Sequence, residues 1–185
     1  MWTRNWRLEF GTMNAPAGNI AIPTDWDLRF AQSWQDIAAW RGRCLEHCSR
    51  AEHAITETLI AVRDHDRAII TLHPLAGQRA NHLASVLLAL SNKGITTENA
   101  LEALNDWRGH EGIRATLAHA IFTGLLDRHG NWFVQIEQID VRAKQEVRQW
   151  HSISHKAANK IEESLKHASK QLLSKLTKIR GNLVP

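Results

Sequence analysis

The chain has 185 residues, 43% of them hydrophobic and 23% charged, the balance expected of one soluble domain with a real core. No apolar run approaches the length of about 18 residues that spans a bilayer, and no apolar leader follows Met1, so no membrane partner or secretory signal is expected. The net charge of +4 is uneven: ten Lys/Arg against three Glu lie between Arg142 and Arg180, a local +7 that leaves −3 for the rest.

That basic segment fits an anionic partner such as nucleic acid, with a solvated helix face as the plain alternative. Cys44 and Cys48 are the only cysteines. Two thiols exclude a disulfide framework and a four-thiolate zinc site, and reduced thiols in the cytoplasm are the expected state.

In chain order, residues 1–24 carry Trp2, Trp6 and Phe10 ahead of a Gly, Ala, Asn and Pro-rich stretch, which reads as an arm or linker. Residues 25–185 read as one domain. Thr24 or Asp25 can cap a helix from Trp26 through Phe30, Trp34 and Ile37, with Gly42 as a bend or break. Cys44, Cys48, Ala51, Ile55, Leu59 and Val62 follow at spacings of 4, 3, 4, 4 and 3, an amphipathic stripe. Glu52 sits at the edge of that stripe. A carboxylate there needs a partner, and Arg114 is a candidate, beside a neighbour on the same helix.

His65 and His73 fall in a helix end or loop. Leu75 to Leu90 predicts a third helix, closed by Gly94 in a left-handed cap. Thr96 or Thr97 opens a fourth through Leu104 to Trp107. Ile113 to Ala120 predicts a helix. Asp127 to Asn131 is a turn signal before Phe133-Val134-Gln135-Ile136, so a small β-hairpin over about Ile121 to Ile139 competes with a helix continued to Leu126. From Val141 onward a long helix is predicted, with Ile161, Leu165, Ala168, Leu172, Leu176 and Ile179 on its buried face. The fold class expected is all-α: a bundle of about five helices, with room for one small hairpin after the motif helix.

Chemistry concentrates in Ile113-Arg114-Ala115-Thr116-Leu117-Ala118-His119-Ala120. Arg114 is always charged and can hold phosphate oxygens through two parallel hydrogen bonds. Histidine as a residue type titrates near neutrality, and at position 119 it can accept or return a proton. Five residues along a helix turn about 500°, so the two side chains point about 140° apart unless the helix ends near His119. An Arg tying helices together and a core His is the bland alternative. His151 and His155, four apart, suit a metal clip only weakly because no third ligand is evident, and His110 and Glu111 lie near enough to line the same cleft. No phosphate-binding glycine loop, nucleophile elbow or metalloprotease helix is present, so neither metal nor cofactor is implied.

Arg50 to Ile55, the Arg114–His119 motif behind Leu104 to Trp107, and the turn at Asp127 to Asn131 together resemble the HEPN superfamily of helical nucleotide-handling proteins. The family pattern is an Arg, four to six residues, then a His, often followed by a small residue, here Ala120. The resemblance covers roughly residues 40–175, but only the Arg–His motif is specific. Where the family often has a polar residue straight after the Arg, this chain has Ala115.

The resemblance implies a metal-independent endoribonuclease working as a homodimer, in a setting of bacterial defence, toxin action or stress response. Arg114 would stabilise charge on the phosphate, His119 would move protons, and Glu52 would orient one of them. Lys156, Lys160, Lys166 and Lys170 are the expected RNA contacts. Partners expected are RNA, a second copy of the chain, and an antitoxin or regulatory protein. Ala115 favours the alternative, a catalytically inactive module that binds RNA, a nucleotide or a protein. A plain helical scaffold is the third reading.

Overall fold

The computed structural model describes residues 24–66, 70–142 and 145–183. Apart from Thr24, the expected N-terminal arm lies outside the described residues. The elements are α1 (Asp25–Asp66), α2 (Ala76–Asn92), α3 (Glu98–Arg108), α4 (Glu111–His119), β1 (Ile121–Leu126), β2 (Trp132–Arg142), β3 (Gln145–Ser154) and α5 (His155–Leu183).

Thr24 opens α1 as a capping box. The Asp27 N–H donates to the Thr24 hydroxyl, and the Thr24 N–H donates to the Asp27 carboxylate. The Thr24 hydroxyl also donates to the Asp27 carboxylate, and that bond together with the one from the Thr24 N–H holds the Asp27 carboxyl below its ordinary range. The helix then runs unbroken through Gly42, where a bend or break was expected. Ile37, Trp40, Cys44, Cys48, Ala51, Ile55, Leu59 and Val62 are all buried in one stripe. Burial on both sides of Gly42 outweighs the penalty of about 1 kcal/mol for a helical glycine.

Helix α5 lies along α1 and runs parallel to it. The Trp40 indole N–H donates to the Ala158 carbonyl at 2.8 Å. Further along, Arg43 pairs with Glu162 at 2.7 Å, and Arg180 donates to Thr58 Oγ1 at 3.0 Å. Two parallel helices need a return path, and α2, α3, α4 and the sheet provide it. Helix α2 ends in a Schellman motif: the Ile95 N–H reaches Leu90 O, the Gly94 N–H reaches Ser91 O, and Gly94 takes φ +83°.

The expectation of an all-α bundle is corrected: among the described residues five helices frame a three-stranded antiparallel sheet, in the order β1-β2-β3, between α4 and α5. The expected hairpin is present as β1 and β2, with Gly130 at φ +81° in the turn. Asp127 closes that turn, accepting from the His129 and Asn131 N–H groups. The helix predicted from Val141 is wrong over its first part, because β3 occupies Gln145–Ser154 and α5 begins only at His155. Gln, Glu and Arg favour a helix locally, but β2 offers a partner to every residue from Arg142↔Gln145 to Phe133↔Ser154. Tertiary pairing overrides propensity there.

On β2, Trp132, Val134 and Ile136 point to the core, and Phe133, Gln135, Glu137 and Ile139 point outward. Gly124 sits where β1 presses closest on α1. A Cβ there would meet Trp34 at 3.0 Å and Ile37 at 3.1 Å.

Candidate functional site

Helix α4 holds the motif. Its His110 cap lies against Trp107, with ring centroids 6.2 Å apart, and Leu117 anchors its inner face at 1% exposure. Thr116 donates to Gln138 Oε1 at 2.9 Å, tying α4 to β2. The far end is finished by a residue that spacing did not single out for the site. Arg41 of α1 donates through Nε to the Leu117 carbonyl at 2.6 Å and through Nη2 to the Ala118 carbonyl at 3.3 Å. Its guanidinium also lies 4.4 Å from the Phe122 ring centre. A cation on the last carbonyls of a helix suits the negative end of the helix dipole. The helix stops at His119, and Ala120 is already extended.

Arg114 and Glu52 meet. Arg114 Nε lies 2.8 Å from Glu52 Oε1, with the side chains 38% and 21% exposed. The pair joins α4 to α1 at a cavity of about 210 Å³ between the starts of α2 and α4. Only Nε of Arg114 is engaged; its Nη1 and Nη2 make no hydrogen bond among the described residues. Glu111 lines the same cavity, and its carboxylate oxygen lies 3.6 Å from where a Gly77 Cβ would stand. The start of α2 has no side-chain cap, so that carboxylate faces the positive end of a helix dipole. His110 is not among the residues lining the cavity.

His119 does not join the pair. It is exposed at the end of α4 and is absent from the cavity wall. The turn of about 140° between positions five apart separates them within one chain.

Cys48 lies beneath the pair. Burial pushes its thiol up to about 11, with Glu52 raising it further and Arg114 opposing. Burial pushes Cys44 up to about 12. Both thiols stay protonated at neutral pH, as buried structural cysteines do.

The basic residues divide. Lys156 and Lys160 line a cavity where α5 begins, while Lys166 and Lys170 lie further along its exposed face. The helix carries its buried stripe on the opposite side, from Ala158 to Leu183. His151 and His155 fall on different elements, β3 and α5, so the helical spacing that suggested a metal clip does not exist. No group of three or more His, Cys, Asp or Glu side chains that could hold a metal occurs among the described residues, nor is any helix there long and apolar enough to cross a membrane. Comparison with protein families, curated proteins and solved structures finds no match.

Proposed function

We propose that the protein binds RNA and cleaves it without a metal, as a homodimer of HEPN type. The observation that carries this is the state of Arg114. Glu52 anchors it through Nε and leaves the two Nη groups unpartnered at the surface of a cleft. That is the edge a guanidinium uses to hold two phosphate oxygens.

In the reaction, the ribose 2′-oxygen attacks the adjacent phosphorus and loses its proton to one histidine. The bond from phosphorus to the 5′-oxygen breaks, and a second histidine gives that oxygen a proton. The products are a 2′,3′-cyclic phosphate and a 5′-hydroxyl. Arg114 stabilises the charge that grows on the non-bridging oxygens. Two histidines are needed, and each chain supplies one at this motif. A twofold dimer that faces the two α4 ends would set His119 beside the partner's His119, with the phosphate held by an Arg114 that reaches across the seam. DNA lacks the 2′-hydroxyl and should resist.

A second reading, a non-catalytic RNA-binding module, draws on His119. Its imidazole makes no hydrogen bond among the described residues, so no neighbour sets its tautomer. RNA cleavage in EDTA separates the two. Wild type should cut, and folded Arg114→Ala and His119→Ala variants should each lose at least about 100-fold. A folded, dimeric wild type that binds RNA in a salt-sensitive way yet cuts none of several RNAs would leave the binding module.

A further inference from the structure

The cavity at the start of α5 is separate from the Arg114 cleft. It encloses about 570 Å³ between the β1–β2 turn, the end of β3 and the first turns of α5. That volume lies within the range of about 300–1,000 Å³ usual for small-molecule sites. Its chemistry is mixed. His155 stacks on Trp132, with ring centroids 4.7 Å apart and planes 28° from parallel. His155 is exposed, so its outer face is open for another ring. Trp132 is 5% exposed, and its indole Nε1 is buried without a hydrogen-bond partner.

Asn159 lines the cavity with an amide that makes no hydrogen bond among the described residues. Its donor and acceptor match the edge of a base. Lys156 and Lys160 stand on the same wall, offset by Asp127 and Glu163. Asp127 is already engaged by the Asn131 amide and the turn N–H groups. A nearly neutral cavity with an aromatic face, an amide and two lysines suits a nucleotide better than a bare phosphate.

We propose that this cavity seats one unpaired nucleotide of a single-stranded RNA. The base stacks on the open face of His155, Asn159 bonds its edge, and Lys156 and Lys160 take the flanking phosphate. The site rests on the RNA reading above and adds to it a preference for single strands.

The test is fluorescence anisotropy with a short labelled 2′-O-methyl oligouridine strand, which cannot supply the attacking hydroxyl, and with the same strand annealed to its complement. Wild type should bind the single strand at least about tenfold more tightly than the duplex. His155→Ala and Asn159→Ala should remove most of that preference, and His155→Phe should keep it. Lys166→Ala and Lys170→Ala should weaken both ligands alike and flatten the salt dependence. If wild type binds RNA but His155→Ala, folded by circular dichroism, keeps the preference, the nucleotide seat is wrong and RNA binding stands. If wild type binds neither ligand, both readings fall. Displacement of the strand by free uridine monophosphate at equal affinity would overturn the strand assignment in favour of a free nucleotide.

Discussion

The Arg114–Glu52 pair allows a quantitative test. Two unit charges about 4 Å apart at an effective dielectric near 20 attract by about 4 kcal/mol before desolvation. Arg114 is 38% exposed and Glu52 21%, so solvent screens the pair and desolvation opposes it. The expected net coupling is about 1 kcal/mol, above a surface pair and well below a buried one. A double-mutant cycle with Glu52→Gln and Arg114→Met, read by urea unfolding, measures it directly. The same Glu52→Gln change removes a negative charge beside the guanidinium. RNA should therefore bind it more tightly, with a salt slope steeper by up to about one phosphate contact. A coupling near zero would show that solvent already owns both charges, and the pair would not be a strut between α1 and α4. A normal coupling with unchanged RNA affinity would keep the strut and remove Arg114 from the RNA surface.

Gly124→Ala should destabilise by about 1–3 kcal/mol, because its Cβ would meet Trp34 and Ile37 at 3.0–3.1 Å; an unchanged urea midpoint would show that α1 can retreat from β1. Arg41→Ala should cost about 1–2 kcal/mol and raise amide exchange in the last turn of α4, since both carbonyl bonds at Leu117 and Ala118 are lost. The two thiols have folded values raised to about 12 and about 11 from an ordinary 9.0, so the folded state keeps protons that the unfolded chain releases. Their contribution is complete below pH 9 and is lost as pH climbs from 9 through 11 and 12. Urea midpoints should fall over that window more steeply in wild type than in a Cys44→Ala/Cys48→Ala variant; equal slopes would contradict the burial argument.

Local signals were legible where one element answers to its own residues. The stripe from Cys44 to Val62, the Gly94 cap, the turn at Asp127 to Asn131 and the buried face of α5 each follow from spacing or backbone preference. Charge named Arg114 as one candidate partner for Glu52 beside a neighbour on the same helix, and the packing of α4 on α1 decided between them. What spacing could not reveal depends on residues far apart in the chain. Gln145–Ser154 is a strand because β2 lies beside it, although its Gln, Glu and Arg content favours a helix. Gly42 stays helical because the core holds α1 on both sides. His119 points away from Arg114 because Arg41, 76 residues from Leu117, holds the end of α4 in helical form up to that histidine. Periodicity and charge determined which faces are buried and which residue types can do chemistry. Only the packing of α1, α4 and the sheet decided which of them meet, because a side chain's partner is set by elements that close on one another through space.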